Sequence, residues 1–230
     1  MDIDFWVDRW NTGQTGFHQP KINPYLAYFY GEKGPPPAQR EKLKVFVPLC
    51  GKSNDMLWLA QNGYRVFGVE CSDLAVQAFF QENGIACRVA SKDEHSLYVC
   101  DTESHPDYAA IEIYQGDFFA LQSDLFDDVT DVFDRASLIA LPLEMRRDYA
   151  AKMAELLKPG TRTLLVTLTY DQDEMNGPPF SVSEEEVNEL YAEHFSIQKL
   201  CFKNIIDDEP RMQERGLTSL IETVYKLVRK

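Results

Sequence analysis

Helical spacings and unbroken apolar runs take turns along this chain, and the changes between them outline its elements. Phe5, Trp6 and Trp10, with Val7 on the adjoining arc, fall on one face of a short helix, and Ile22, Tyr25, Leu26, Phe29 and Tyr30 recur at helical spacing in a second. Gly31 to Pro37, with three consecutive prolines, stops that helix. Leu43 to Leu49 reads as the first strand. Ser53 or Asn54 caps a helix with Met56, Leu59 and Ala60 on one face, closed by Asn62-Gly63. Tyr64 to Val69 is the second strand, and Ser72 or Asp73 caps a helix through Ala75, Phe79 and Phe80 that ends at Asn83-Gly84. The stretch 85–110 is open between a small β insertion, at Ala86 to Ala90 and Leu97 to Cys100, and irregular loop. Ile111 to Gln115 and Val129 to Asp134 read as further strands, and Met145, Tyr149 and Met153 mark a helix that Pro159-Gly160 ends. Thr161 to Thr169 has the character of a buried strand, Ser183 with Glu186 makes a capping box, and Ser196 to Phe202 and Leu220 to Leu227 close the sheet. Early βαβ units followed by paired late strands predict a single three-layer α/β domain without internal repeats.

Composition narrows the class. The chain has 230 residues, enough for one well-filled core, and its apolar content of 44% argues against disorder. No apolar run reaches the roughly 18 residues of a membrane span, and the opening Met1-Asp-Ile-Asp is acidic where a signal peptide is basic. Five cysteines, odd in number and irregular in spacing, fit a reducing cytoplasm better than a disulfide scaffold. A net charge of -14 repels a phosphate backbone, so neither nucleic acid nor membrane is expected as a partner.

The chemistry concentrates at the strand ends. Lys44-Val-Phe-Val-Pro-Leu-Cys-Gly-Lys-Ser53 runs from strand to glycine turn to helix, and the next strand, Arg65-Val-Phe-Gly-Val-Glu70, ends in an acid 19 positions after Gly51. That is the layout of a βαβ unit that holds a nucleoside, its acid accepting hydrogen bonds from both ribose hydroxyls. NAD and S-adenosylmethionine both satisfy it, although the GxGxxG turn usual in dehydrogenases is absent. Gly51-Lys52-Ser53 imitates the tail of a phosphate-binding loop, but Phe46 stands where that loop needs its first glycine. Cys50-Gly51 and the backbone at Leu49 are placed for close approach to a ligand, or form an ordinary turn. Asp117 and Phe118 follow a strand, suited to an adenine amino group and the face of the base, or to a loop acid beside a core aromatic. Arg135 is suited to a ligand carboxylate, or to a salt bridge with Asp134. His18, His95, His105 and His194 show no metal spacing and the cysteines form no CxxC, so no metal and no covalent nucleophile is expected.

Phe5-Trp-Val-Asp-Arg-Trp-Asn-Thr-Gly-Gln-Thr-Gly-Phe-His-Gln19, Val47-Pro-Leu-Cys-Gly-Lys-Ser53, Gly68-Val-Glu70, Asp134-Arg-Ala-Ser-Leu-Ile-Ala-Leu141 and Gly177-Pro-Pro-Phe180 together resemble the thiopurine S-methyltransferase family, its bacterial branch in particular. The resemblance spans nearly the whole chain, and the PLCGKS turn replaces the glycine-rich turn in that family too. It implies a Rossmann-like class I S-adenosylmethionine-dependent methyltransferase fold, with a mostly parallel seven-stranded sheet and one late antiparallel strand. Residues 1–42 would be an N-terminal helical lid and linker, and residues 43–230 the sheet core. It further implies that Trp10, Leu49, Glu70 and Arg135 bind S-adenosylmethionine, that Asp117 and Phe118 lie by the adenine, and that Phe17 and Arg211 lie on the substrate side. Around Arg211 the run Asp208-Glu-Pro-Arg-Met departs from the mammalian wording. The implied reaction is methyl transfer to the sulfur of a small aromatic or heterocyclic thiol by a cytoplasmic monomer, releasing S-adenosylhomocysteine. The alternatives are methylation of selenium or tellurium compounds, and a non-catalytic nucleoside-binding or interaction protein on the same fold.

Overall fold

The computed structural model describes residues 3–230; Met1 and Asp2, half of the acidic opening noted above, lie outside the described residues. The chain divides into two compact units, one through Phe133 and the other from Asp134 to Lys230. No helix among the described residues is long and apolar enough to cross a membrane.

In the first unit β1 (Lys44–Val47) and β2 (Arg65–Glu70) lie parallel, with Lys44 opposite Arg65 and Val47 opposite Gly68. β2 pairs in parallel with β5 (Ile111–Gln115), and β1 with β6 (Val129–Arg135), which runs on past Phe133. Helices α4 (Asn54–Gln61) and α5 (Asp73–Glu82) make the crossovers; of the two candidates at each start, Ser53 and Ser72 are the caps, accepting from Asp55 N and Ala75 N. Parallel strands need such crossovers, which is why the caps fall directly after the strand ends. Phe46, Phe67 and Phe126 are fully buried, with ring centroids 4.8 to 5.1 Å apart, and each contributes about 1.5–3 kcal/mol by its burial.

The open stretch 85–110 is an antiparallel hairpin, β3 (Cys87–Lys92) and β4 (His95–Cys100), turning at Asp93. β4 also runs antiparallel to β5, so the first unit orders its strands β3-β4-β5-β2-β1-β6. This hairpin accounts for the correction from the expected seven strands to nine among the described residues. The sequence left this β insertion open against irregular loop because β3 is an edge strand, exposed from Arg88 through Lys92, so no apolar alternation was needed there.

The N-terminal helices form where expected. α1 spans Ile3–Asn11, and α2 (Pro24–Leu26) continues as a π-helix at Ala27–Glu32, capped by Asn23. The linker contains a short helix that was not anticipated, α3 (Pro37–Arg40), because Pro37 is tolerated in a first turn.

The second unit pairs β7 (Arg162–Thr169) antiparallel to β9 (Ile221–Arg229), and β9 antiparallel to β8 (Phe195–Asn204), in the order β7-β9-β8. Helices α6 (Leu143–Leu156), α7 (Glu184–Tyr191) and α8 (Pro210–Glu214) complete it. Tyr149 and Met153 face inward on α6 as expected, but Met145 is only half-buried. The buried place beside it belongs to Arg146, 3% exposed. The capping box is half-made: Ser183 Oγ accepts from Glu186 N, while the Glu186 carboxylate is taken by Arg146 Nη1 at 2.6 and 2.7 Å. A buried guanidinium requires a carboxylate more strongly than a helix start requires its second bond.

Candidate active site

Three strands of the first unit end side by side. Cys50 N donates to Val69 O at 2.9 Å, and Gly116 N donates to Glu70 O at 2.9 Å, so the turns after β1, β2 and β5 are stitched together by backbone. Glu70 sits among them, 5% exposed. Its Oε2 accepts from Gly51 N at 2.8 Å and its Oε1 from Ser72 N at 2.8 Å, with the Cys71 thiol 3.4 Å from Oε1. Burial pushes the Glu70 carboxyl above its ordinary range, against the pull of the Ser72 and Gly51 N–H groups. Oε2 keeps a further lone pair for a hydroxyl donor, and a hydroxyl at Oε1 would displace only the long, weak thiol bond from Cys71. The fixed N–H groups that hold this carboxylate belong to Gly51, expected at a ligand-facing or ordinary turn, and to Ser72, expected only as a cap candidate.

The turn itself is strained. Leu49 has φ +45° and Gly51 φ +52°, a region costly for any residue but glycine. The space a side chain at Gly51 would need is taken by Trp10: a Cβ there would lie 3.0 Å from Trp10 Cζ2. Trp10 is 7% exposed, and its ring meets Phe17 edge-on at 5.4 Å; Phe17 also meets Trp6 at 5.6 Å. The aromatic opening of the chain is therefore packed on the PLCGKS turn, bringing Trp10, Phe17, Leu49 and Glu70 to one place.

After β5, Asp117 caps a 3-10 turn at Phe118–Ala120, its Oδ1 accepting from Phe119 N at 3.0 Å. The Phe118 ring, considered above as a cover for a base, is 1% exposed and lies in the core; the more accessible ring of the turn is Phe119.

In the second unit Asp134 and Arg135 end β6, followed by Ala136 at φ +68°. Asp134 is 1% exposed and accepts from Tyr149 OH at 2.8 Å; among the described residues it makes no ion pair with Arg135, so the salt bridge weighed as an alternative role for Arg135 is not formed. Burial pushes the Asp134 carboxyl up to about 6, although Tyr149 pulls it down. Arg135 is half-buried, and Arg211 is exposed on α8.

The cysteines are poor nucleophiles. Burial, followed by the charge of Glu70, pushes the Cys50 and Cys71 thiols well up, so both remain protonated.

The family model described as Thiopurine S-methyltransferase matches residues 1–230. A thiopurine S-methyltransferase from Bordetella petrii is 44% identical over 230 residues, all of both chains, and one from Pseudomonas fluorescens is 40% identical over 228 residues, 99% of each. Among solved structures, magnesium protoporphyrin IX methyltransferase from Synechocystis, crystallised with S-adenosylhomocysteine, superposes with a TM-score of 0.64 at 14% identity over all of both chains. A 1,6-didemethyltoxoflavin-N1-methyltransferase from Burkholderia thailandensis gives 0.62 at 16% identity, over 99% of this chain and 87% of its own. These likenesses show the Rossmann-like class I methyltransferase fold. Matched from end to end at this level of identity, the chain belongs to the thiopurine S-methyltransferase family.

Proposed function

We propose that Trp10, Leu49, Glu70, Asp117, Phe118 and Arg135 hold S-adenosylmethionine, with Phe17 and Arg211 on the side of the methyl acceptor. As a family member the protein is an S-adenosylmethionine-dependent S-methyltransferase. The observation that carries the residue assignment is Glu70: a buried carboxylate at a parallel strand end, held by two backbone N–H groups and aimed by them. Asp117 stands one strand over, on the base side, and Phe118 roots its turn in the core. The family model spans both units and β6 crosses between them, which supports reading 1–230 as one methyltransferase domain with a lid over residues 1–42. Five free cysteines support a reducing cytoplasm, and we take the acceptor to be a small aromatic or heterocyclic thiol methylated by a monomer.

When bound, S-adenosylmethionine supplies a methyl group on a sulfonium, a good leaving group. The chain's own residues then have two tasks, alignment and drying. Glu70 accepts the ribose hydroxyls and fixes the nucleoside; Arg135 holds a carboxylate through its planar fork; Trp10 and Phe17 exclude water beside the PLCGKS turn. A heterocyclic thiol reaches the site already as thiolate, so no dedicated base is required, and the protonated Cys50 and Cys71 take no part. Calorimetry with S-adenosylmethionine, S-adenosylhomocysteine and NAD, followed by methyl-transfer assays on a panel of aromatic thiols, tests this. NAD binding without response to either methyl-cycle ligand overturns it. Glu70→Gln keeps the shape but not the charge of the acceptor and should weaken cofactor binding by roughly tenfold or more with the fold intact.

The lid divides into a fixed and a movable part. Asn54 Nδ2 donates to Pro20 O at 3.2 Å, Asn23 N to Asp55 Oδ1 at 2.8 Å, Tyr64 OH to Tyr30 O at 2.7 Å and Arg40 Nη1 to Asn62 O at 3.4 Å. Residues 20–40 are thereby tied down by hydrogen bonds, whereas α1 rests by packing on α5 and reaches the turn through the Trp10 ring. Hydrogen exchange with and without S-adenosylhomocysteine should show protection rising in residues 3–19 and unchanged in residues 23–32. Equal protection of residues 3–19 in both states would mean a static cap.

A further inference from the structure

His95 has no role in any reading so far, yet it is the one inward-reaching group of an exposed turn. Ser91 to Glu94 are exposed, while His95 is 6% exposed. Its Nε2 lies 2.9 Å from Asp117 O, and its ring meets Tyr114 edge-on at 5.9 Å. The same ring occupies the place of a side chain at Gly116: a Cβ there would lie 2.5 Å from His95 Cδ2, and Gly116 has φ +154°. Glycine is required at 116 on both counts.

We infer that His95 is a positioning residue for the base-reading turn, holding Asp117 at a fixed offset from Glu70; this rests on the reading that Asp117 lies by the adenine. A carbonyl oxygen only accepts, so the bond to Asp117 O requires the proton on Nε2. The turn is then fixed on both flanks. Gly116 N is held by Glu70 O on the β2 side, and Asp117 O by His95 on the β4 side. Between these two anchors the Asp117 side chain has Oδ1 spent on Phe119 N, which leaves Oδ2 as the oxygen to accept from an amino donor. The β3–β4 hairpin, which adds two strands to the sheet, thereby reaches the cofactor site through one side chain. Its consequence is selective: His95 governs how well the 6-amino group of the base is distinguished, and not how the ribose is held.

The test compares S-adenosylhomocysteine with S-inosylhomocysteine, in which a carbonyl replaces that amino group, by calorimetry on the full chain. The wild type should prefer the adenosyl ligand by about tenfold, the cost of one mismatched hydrogen bond. His95→Phe keeps the ring but loses the N–H, and the preference should fall to within about threefold, with KM for S-adenosylmethionine raised and kcat retained. His95→Gln, which keeps a donor, should recover part of it. Glu70→Gln should weaken both ligands alike and leave the preference unchanged. An unaltered preference in His95→Phe, or no preference in the wild type, overturns the inference while the Glu70 result stands. Unchanged affinity in Glu70→Gln overturns the site itself. Should His95→Phe not fold, nitrogen-15 spectra of the wild type decide: the Nε2–H tautomer supports the inference and the Nδ1–H tautomer ends it.

Discussion

Replacing Arg146 by Met is expected to lower the unfolding free energy by roughly 3–5 kcal/mol, the usual cost of breaking one side of a buried ion pair. The Arg146 side chain is 4% exposed and that of Glu186 17%. Besides that carboxylate, Arg146 Nε donates to Leu141 O at 2.8 Å and Nη1 to Ser181 O at 3.1 Å, with the guanidinium 5.5 Å from the Phe180 ring centroid. One side chain therefore joins α6, the segment after β6, the Gly177-Pro-Pro-Phe180 loop and the start of α7. Met retains much of the stem volume but strands two carbonyls and a carboxylate. Urea denaturation of the variant should show the loss, and at about 2–4 °C per kcal/mol the thermal midpoint should fall by roughly 10 °C. Adding Glu186→Gln should recover part of it by removing the uncompensated charge. A variant within about 0.5 kcal/mol of wild type would mean that Arg146 is solvated in solution.

Asp134→Asn is expected to change the pH dependence of stability more than any other single substitution in the second unit. The Asp134 carboxyl is raised from its usual value to about 6 by burial, so the folded protein holds that proton more tightly than the unfolded chain. Its contribution is then fully present below the unfolded value, near pH 4, and is lost as pH rises through about 6. Two units correspond to about 3 kcal/mol. Relative to wild type, the asparagine variant should gain that amount between pH 4 and pH 7, because the amide oxygen still accepts from Tyr149 and carries no charge to bury. Chemical denaturation at several pH values measures the gap. A gap that does not change with pH would mean that Asp134 titrates as an exposed carboxylate. The same variant should lose activity, since Asp134 anchors the strand end that presents Arg135 and the positive-φ Ala136.

The parallel strands were readable along the chain because buried strands leave apolar runs, as in Lys44–Val47 and Arg65–Glu70, and because their crossover helices start at local caps such as Ser53 and Ser72. Glu70 was legible for the same reason: strand, turn, helix and strand precede it in a fixed order. Trp10 and Phe17 acquired a role only by resemblance, since by themselves they read as core or docking residues. Met145 shares the helical spacing of Tyr149 and Met153 but is only half-buried, because spacing locates a face and does not say which residue on its border will be drawn in.

The sequence by itself determined the local and periodic features: helix starts, strand ends, the acid after the second strand, and the absence of metal or nucleophile spacing. These follow from backbone hydrogen bonding and burial within a few residues. Only the tertiary structure decided which groups meet across long separations. Trp10 takes the space above Gly51, His95 fills the place of a side chain at Gly116, Glu186 leaves its capping box for Arg146, and Asp134 turns to Tyr149. Each of these is a choice among several partners within reach of a flexible side chain. Close packing and the need to satisfy every buried polar group select one of them, and neither condition exists until the chain has folded.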